Sequence, residues 1–209
     1  MKKSEIKKLN TVEKIEVKNL EVIPDNIELY FNYSIHENNK IIKQSKEKRA
    51  NSFLKQFIQA LDNQFTRYYG SVLDTSNTSR TWASIVTSAA ITNDNYGIQV
   101  GTGSTAVTIN DYKLETQIPH GSTSGKLQYG IMQYGIPAFT STTGTLRFTR
   151  VFTNASGGTI TVNEIGLASL AYISATNRYF LLMRDILSPG VPILNGQSMT
   201  LNYNMTTTI

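Results

Sequence analysis

Alternating apolar and polar residues predict β-strands in the first and last parts of the sequence. Between residues 27 and 35 every second side chain is apolar, and the polar residues 36–40 separate this run from Ile41 and Ile42. Alternate residues of a strand point to opposite faces of a sheet, so this pattern predicts a hairpin with one buried face. Residues 199–206 alternate in the same way and predict a last strand. Its predicted buried residues are Met199, Leu201, Tyr203 and Met205.

One segment has the spacing of a helix instead. Its apolar residues recur three and four positions apart, and they are Phe53, Leu54, Phe57, Ile58, Leu61 and Phe65. This spacing predicts an amphipathic helix over about residues 52–67, capped by Asn51 or Ser52. A row of phenylalanines on one helix face is typical of packing against a sheet, so we interpret the stripe as core and not as a ligand site.

The sequence after Tyr96 predicts strands and turns. Residues 98–109 predict a strand, a turn and a second strand, and residues 111–118 allow one helical turn. Residues 127–134 and 179–184 each predict one strand, and Ser188-Pro189-Gly190 predicts a loop after the second of them.

The clearest hairpin signal is Asn154-Ala155-Ser156-Gly157-Gly158, between the apolar runs 146–152 and 159–167. Val151-Phe152 breaks the alternation just before this turn and predicts a bulge. Together these elements predict a mostly β fold, an antiparallel β-sandwich or jelly-roll-like arrangement with one amphipathic helix packed on it. We expect a single domain over residues 23–209.

Composition agrees with a sheet that has one polar face. Charged residues make up only 17% of the chain, and Thr, Ser, Asn and Gly take their place. The chain has no cysteine, which excludes disulfides, thiolate metal sites and a cysteine nucleophile. No stretch approaches 18 apolar residues and no apolar signal-peptide core follows the first lysines, so we expect no membrane span and synthesis in a cytoplasm.

Residues 1–22 predict a charged N-terminal arm. Within it Ile15, Val17, Leu20 and Val22 give a weak strand pattern that needs a neighbouring strand. Glutamates lie between the lysines, which argues against a specific nucleic-acid surface, since such a surface has few acids. We predict that the arm acts in assembly, and its lysines are Lys2, Lys3, Lys7, Lys8, Lys14 and Lys18.

Gly101-Thr102-Gly103 follows an apolar run and raises the question of a phosphate site. A P-loop needs a lysine directly after its last glycine, but Ser104-Thr105-Ala106 follows here. The dinucleotide fingerprint needs a third glycine and then a helix, whereas residues 105–109 are β-branched and alternating. We interpret the segment as a turn whose glycines supply positive φ between two strands, and we expect no cofactor.

Several acidic residues are candidates for chemistry. Asp111, Glu115 and His120 are near enough in sequence to converge, although acids among Thr and Asn are usually turn and cap residues. Glu164 lies inside an apolar strand and needs partners, because burial alone disfavours its charge. We expect backbone N–H groups or an arginine, with an acid role or calcium binding as the alternative. Asn93-Asp94-Asn95 lacks the spaced ligands of a calcium loop. The arginines considered for Glu164 are Arg147, Arg150 and Arg184.

Four segments, taken in order, resemble a group of small virion proteins of tailed bacteriophages. They are KIIKQSKEKRANSFLKQF, VGTGSTAVTINDYKLETQI, FTRVFTNASGGTITVNEIGL and LLMRDILSPGVPILNGQSMTLNYNM. Proteins of that group carry a GTG-type loop before a D-x-x-L-E turn, a Gly-Gly hairpin leading into EIGL, an (A/R)RD-x-L strand and a last N-G-Q-x-(L/M)-T-(L/V) strand. The resemblance covers about residues 28–206. The group includes tail, neck and fibre-attachment components, such as those of crAss-like phages.

This resemblance implies a virion structural protein, made in the host bacterial cytoplasm, that forms a ring or adaptor of the neck or tail. Its implied partners are further copies of the chain and other virion proteins, and it implies neither an enzyme nor a metal site. The alternative is a carbohydrate- or receptor-binding module of a phage tail. It is favoured by aromatic residues in polar loops, where rings can stack on sugars: Trp82, Tyr112, Tyr129 and Tyr134. For a hydrolase on a β scaffold, no nucleophile and base pair is identifiable.

Overall fold

The computed structural model describes residues 26–50, 53–66, 70–81 and 85–208. The predicted arm with its six lysines, the predicted cap residues Asn51 and Ser52, and Trp82 lie outside the described residues. The elements are β1 Asn26–Glu37, β2 Lys40–Gln44, β3 Lys48–Arg49, α1 Lys55–Thr66, β4 Val72–Leu73, β5 Ser79–Arg80, β6 Gly97–Gly101, β7 Gln128–Tyr129, β8 Gln133–Tyr134, β9 Ala138–Phe139, β10 Thr143–Thr153, β11 Ile160–Ile173, β12 Thr176–Ile193 and β13 Ser198–Thr208.

The larger sheet is built on three long antiparallel strands, β1, β13 and β10. The strand order is β2-β1-β13-β10-β7, with β3 beside β1 and with β8 and β9 beside β10. Strand β13 pairs along its whole length with both neighbours, so that Thr208 lies opposite Asn26 on one side and Thr143 on the other. Alternate residues are buried, as predicted, over 29–35 of β1 and 199–203 of β13, but Ile27 is exposed and Met205 is only half-buried. Asn38 and Asn39 make the β1–β2 turn with positive φ.

The smaller sheet has the order β12-β11-β6 and packs against the inner face of the larger one. Apolar residues of both sheets form one core, which includes Leu201 and Tyr203 of β13, Ile165 of β11 and Leu182 of β12. The fold of the described residues is therefore mostly β, antiparallel and sandwich-like with one helix, as the sequence predicts. Both outer edges of this sheet accept further backbone hydrogen bonds, because Leu54 N donates to Leu182 O on β12 and Ile118 N donates to Val100 O on β6.

The predicted hairpin across residues 154–158 is wrong. Strand β10 pairs with β13 and strand β11 pairs with β12, so these residues carry the chain from the larger sheet to the smaller one. The buried side chain of Asn154 fixes this connection, since its Nδ2 donates to Gly158 O at 2.8 Å and to Ile193 O at 2.7 Å. The bulge predicted at residues 151–152 is also absent from the continuous β10–β13 pairing, and register shifts lie instead in the β11–β12 and β1–β2 pairings.

The helix begins three residues later than predicted, at Lys55, and its buried face is shifted relative to the predicted stripe. Phe57 is buried and stacks on Phe53 with the ring centroids 4.4 Å apart, as expected for core packing. Ile58 is 58% exposed, however, and the buried face instead includes Gln56, Ala60 and Asn63. These three residues are four and three positions apart and so share one side of the helix.

Four further predictions of local structure are corrected. Residues 105–109 form no strand and residues 111–118 form no helical turn, because this segment is held by side chains described below. Residues 188–190 are not a loop but part of β12, which contains a cis peptide bond between Ser188 and Pro189. The strand predicted at 127–134 is divided into β7 and β8.

Candidate functional site

The glycines at positions 101 and 103 allow the backbone to approach a buried carboxylate. The prediction of positive φ at these residues is wrong, because the glycines with positive φ lie elsewhere in the chain. A Cβ atom on Gly103 would lie 2.5 Å from Glu164 Oε1, and a Cβ atom on Gly101 would lie 2.5 Å from the carbonyl oxygen of Thr116. These distances are far inside van der Waals contact, so the glycines serve close packing.

Glu164, on β11, is completely buried and accepts four hydrogen bonds. Its Oε1 accepts from the amides of Gly103 at 3.1 Å and Thr116 at 2.7 Å, and its Oε2 accepts from the amide of Glu115 at 3.0 Å. The fourth donor is Arg184 Nε at 2.8 Å. The prediction that backbone N–H groups or an arginine hold Glu164 is confirmed, and Arg184 is the arginine.

Arg184, on β12, joins Glu164 to the loop that follows β6. One terminal nitrogen donates to Asp111 Oδ2 at 2.8 Å, and the other donates to Thr105 O at 3.2 Å and lies 3.6 Å from Glu115 Oε2. The side chain is only 2% exposed, so this cation is surrounded by protein groups. Asp111 and Glu115, which the sequence suggested would converge, do meet at this arginine.

The two partly exposed carboxylates of this cluster are stabilised in their charged form. Glu115 Oε2 accepts from the amides of Thr105 at 2.9 Å and Ser104 at 2.8 Å, and these bonds hold the pKa of Glu115 below its ordinary value. Burial raises the pKa of Asp111, but hydrogen bonds from Thr108 and Arg184 outweigh it and keep that pKa low as well.

The loop at residues 101–105 therefore cradles anions, and the anions are the chain's own carboxylates. The amide of Gly103 donates to Glu164, and the amides of Ser104 and Thr105 donate to Glu115. Successive amides of this kind are the donors that would hold a phosphate in a P-loop. Since they are already occupied, the geometry favours a structural loop over a nucleotide site.

His120 lies apart from this carboxylate cluster. Its Nδ1 accepts from the amide of Tyr129 at 3.1 Å, and its own amide donates to Asp94 Oδ2 at 2.7 Å. The structure thus brings together only two of the three residues suggested as a catalytic group. In the segment Asn93-Asp94-Asn95, Asn93 Oδ1 accepts a hydrogen bond from the amide of Asn95, which forms a local turn. No group of three His, Asp or Glu side chains in the described ranges is arranged to hold a metal ion.

Arg150 is a second buried arginine, which the sequence interpretation did not single out as a structural centre. It lies on β10 with no exposed surface and donates to the carbonyl oxygens of Gly130 at 2.8 Å and Ile98 at 2.9 Å. Further bonds reach the carbonyl oxygens of Tyr96, Ala90 and Asn93. Burial lowers its pKa to about 10. The sequence did contain a sign that Arg150 is buried, because it lies two residues from both Phe148 and Phe152 and so shares their apolar face of β10.

Two of the four aromatic residues proposed for sugar stacking, Tyr129 and Tyr134, pack against core side chains. Tyr129 is buried, donates to Ile118 O at 2.6 Å and packs its ring against Phe152, so it is not available to a ligand. Tyr134 is half-exposed, but its ring stands edge-on to Phe148 at 5.7 Å. These contacts give both tyrosines a packing role.

A cavity of about 600 Å³ opens between β3, β12 and loop residues 104–109. Its rim carries the exposed side chains of Lys48 and Arg49, and its wall includes the buried Phe31. The carboxylate of Asp185 also lines it and accepts from Tyr203 OH at 3.2 Å. The carboxylate in this cavity is therefore held by the core.

The inner face of the larger sheet is uncovered at the end where β1 begins. Ile27, Thr207, Gly144 and Phe139 lie opposite one another across β1, β13, β10 and β9. Ile27 is 55% exposed and Phe139 is 79% exposed, although the next residue on the same face of β1, Leu29, is fully buried. We define this surface as the apolar overhang, and its residues are Ile27, Ile136, Pro137, Phe139, Leu146 and Met205.

The apolar overhang contains a cavity of about 290 Å³. Leu146 and Met205 are half-buried at its floor, and Ile136 beside it is 92% exposed. At the opposite end of the same strands the inner face is closed, since Ile35 and Met199 are fully buried. Among the described strands of the larger sheet, exposed apolar side chains recur at that end only on β2, at Ile41 and Ile42.

Comparison of the chain with protein-family models, with curated proteins and with solved structures finds no match in any of the three. The described part of the chain contains no helix with the length and apolar character needed to span a membrane.

Proposed function

We propose that this chain is a structural subunit of a tailed-bacteriophage particle. It acts in a ring or adaptor of the neck or tail and assembles through contacts with further copies of itself and with other virion proteins. This role is supported by the four sequence segments that, in their order along the chain, resemble those of phage virion proteins. The structural observation that carries it is the apolar overhang.

An exposed apolar surface of this kind favours a protein partner. Ile136, Phe139 and Ile27 are large side chains that remain in water although the same sheet buries its inner face elsewhere. Burying apolar surface stabilises an association by about 25 cal/mol for each Å² removed from water. Contiguous apolar patches on soluble proteins often mark interaction sites.

The charged residues of the described chain support a structural role more than a catalytic one. Glu164, Arg184 and Asp111 bond to one another or to the backbone, and these bonds hold the loop after β6 in place. A catalytic base must reach a substrate proton, so a carboxylate already bonded in this way is poorly placed to act.

The proposal is tested by the oligomeric state of the purified protein and of two matched variants. We expect the native protein to form a uniform oligomer in mass photometry and analytical ultracentrifugation. Phe139→Ser should shift it to the monomer with little change in melting temperature, because this side chain is mostly exposed. The control is Tyr172→Ser, which removes another exposed ring, 66% exposed, near the β11–β12 turn and should leave the oligomer intact.

A native protein that stays monomeric at tens of micromolar, or a Phe139→Ser variant that assembles like the control, would contradict the proposal. A monomer that binds glycans on an array would favour the carbohydrate-binding alternative.

A further inference from the structure

We propose that the cavity beside β3 and the lysines next to it bind an extended acidic segment of another protein, which places an apolar side chain in the cavity. This inference deepens the proposed function and rests on it, because it names the chemistry of a virion partner other than a second copy of the chain. Its basis is a surface that combines free positive charge, exposed isoleucines and an open apolar cavity. None of its residues belongs to the apolar overhang.

Four exposed lysines follow one edge of the larger sheet, along β2, β3 and the residues between them. We call them the basic edge, and they are Lys40, Lys43, Lys46 and Lys48. Together β2 and β3 line residues 30–37 of β1, so this edge is about 23 Å long. Charges so close together act on the same ligand, because the screening length at physiological salt is about 8 Å.

The acids near the basic edge are bonded to other groups. Glu37, at the β1–β2 turn, accepts a hydrogen bond from Gln197 Nε2 at 3.3 Å. Glu47, between β2 and β3, accepts one from Asn204 Nδ2. Among the described residues no carboxylate forms an ion pair with a lysine of the basic edge. The positive charge of this edge is therefore not neutralised by the described part of the chain, and it attracts acidic ligands.

Two isoleucines lie between the lysines of β2. Ile41 is 56% exposed and Ile42 is 50% exposed, and β2 is the last strand on its side of the larger sheet. A terminal strand keeps unpaired N–H and C=O groups on its outer side, so an extended chain is able to hydrogen-bond there. A nucleic acid would use the lysines but not the isoleucines, since its phosphates make most of the contacts with a basic surface. The combination favours a polypeptide.

The cavity of about 600 Å³ lies at the β3 end of the basic edge, where Lys48 lines its rim. Its walls are mostly apolar, and the residues that form them include Phe31, Phe53, Leu54, Val107, Ile109 and Ile186. A cavity of this size and character is typical of a binding site. Asp185 also lines it and is only 5% exposed, so a second carboxylate inside the cavity would be unfavourable. The group that enters is therefore apolar, and the acids of the partner lie outside, at the lysines.

Neither a second copy of β2 nor the first part of the chain supplies an acidic segment. A second copy that paired its β2 with this edge would place lysines against lysines, which is unfavourable. Residues 1–25 contain six lysines and five acidic residues, so they are not acidic either. The partner is therefore a different protein, and the lysines select it by its charge.

The probe is a fluorescein-labelled synthetic peptide of alternating glutamate and valine that begins with one phenylalanine. Its binding to the full-length protein is measured by fluorescence polarisation at physiological salt, and we expect it to be saturable. Lys48→Glu should weaken it about fivefold, because the exposed attraction becomes a repulsion. The matched control is Lys126→Glu, which makes the same change of charge beside β7, at the opposite edge of the larger sheet, and should bind like the native protein.

A second pair of variants tests the apolar side chain in the cavity. Ile109 lies in the cavity wall but is 56% exposed, so Ile109→Ser should keep the melting temperature of the native protein. It should weaken binding of the peptide that begins with phenylalanine, and it should not affect the same peptide without the phenylalanine. The control is Ile91→Ser, which replaces another exposed isoleucine outside the cavity and should change neither affinity.

Equal affinity of the native protein and Lys48→Glu would overturn the inference, and so would equal affinity for the peptides with and without phenylalanine. No binding at millimolar peptide would overturn it as well. A single-stranded oligonucleotide that displaces the peptide and binds more tightly would assign this surface to nucleic acid instead.

The oligomeric state separates this inference from the proposed function. An oligomeric native protein that does not bind the peptide means that the inference is wrong while the assembly role stands. A monomeric native protein that binds the peptide contradicts the assembly of copies but keeps the acidic partner.

Discussion

Two buried arginines hold loops against the two sheets, and they differ in what balances their charge. Arg184 is bonded to the carboxylates of Glu164 and Asp111, each at 2.8 Å. Arg150 donates to five backbone carbonyl groups and lies 4.8 Å from the centre of the Tyr129 ring, and within the described residues no carboxylate forms an ion pair with it. One cation is paired with anions, whereas the other is surrounded by dipoles.

Because of this difference, we expect the two regions to respond differently to pH and to substitution of their partner residues. In the Arg184 region the partners are ionisable, so its stability depends on pH and on each acid. In the Arg150 region the partners are carbonyl groups of the main chain, which do not titrate. Removing one member of a buried charge pair leaves the other without compensation and costs about 3–5 kcal/mol.

The largest effect is expected for Glu164→Ala. This change removes four hydrogen bonds and leaves the amides of Gly103, Glu115 and Thr116 without their acceptor. The free energy of unfolding, measured in urea, should fall by about 3–5 kcal/mol. The neighbouring Asn163→Ala, which loses one bond to Thr102 O, is the control and should cost about 1 kcal/mol. Equal losses in the two variants would show that Glu164 is not the centre of this region.

Arg150→Met should destabilise by about 2–3 kcal/mol, because it leaves carbonyl groups buried without donors while keeping a similar apolar volume. The measurement is the same urea titration, at pH 7 and again at pH 4. Its loss should be the same at both pH values, since no acid is paired with Arg150. A loss that shrinks at pH 4 would break the contrast between the two arginines.

Gly101→Ala tests the close approach of the loop to the sheet. The added Cβ atom would lie 2.5 Å from the carbonyl oxygen of Thr116, so the backbone must move, at a cost of about 1–3 kcal/mol. Gly158→Ala is the matched control, because nothing lies within 4 Å of its Cβ position. Thermal unfolding of both variants compares them directly, and an unchanged melting temperature for Gly101→Ala would contradict the packing role.

Acid should weaken the Arg184 region selectively. The pKa values of Asp111 and Glu115 lie below their ordinary values of 3.8 and 4.5. Their contribution to the free energy of unfolding is therefore complete at pH values above the ordinary pKa values. It is lost as the pH falls through the lower pKa values that the two groups have in the folded protein. Asp111→Asn should show a shallower loss of stability between pH 5 and pH 2 than the native protein, as measured by urea unfolding at each pH. An identical acid dependence would contradict the assignment.

The smallest effect, essentially none, is expected from nucleotides. Millimolar ATP or GTP should leave the melting temperature unchanged, because Glu164 and Glu115 already occupy the loop amides. A bound ligand stabilises by RT ln(1 + [L]/Kd), so an increase of several degrees would reveal a site that these carboxylates do not block.

Local patterns predicted individual elements better than their partners. The alternation in β1 and β13 predicted both strands and their buried faces, because burial on one side imposes a period of two. The turn at residues 154–158 was also detected from its Asn and Gly residues. Its local chemistry contains no information about which sheet the following strand joins, and Asn154 decides this by bonding to Ile193, far along the chain.

The carboxylate cluster was predicted in part. The cost of burying a charge was enough to predict that Glu164 needs hydrogen bonds and an arginine. The choice of Arg184 among three arginines depends on the pairing of β11 with β12, in which Gly166 lies opposite Arg184, and one sequence does not give that register. The strand predicted at 105–109 failed for a related reason, since bonds to Glu115 and Arg184 override the β-propensity of Thr105 and its neighbours.

The position of β13 between β1 and β10 has a consequence for synthesis on the ribosome. β1 and β10 pair with short neighbouring strands, but neither has its long partner β13 until residues 198–208 have been made, although Asn26 was made more than a hundred residues earlier. The smaller sheet needs only residues 97–193, so it is able to form first. Contacts between distant residues slow folding, and unpaired strands invite wrong partners meanwhile. During synthesis the smaller sheet is therefore able to form while the larger sheet stays incomplete until β13 has been made.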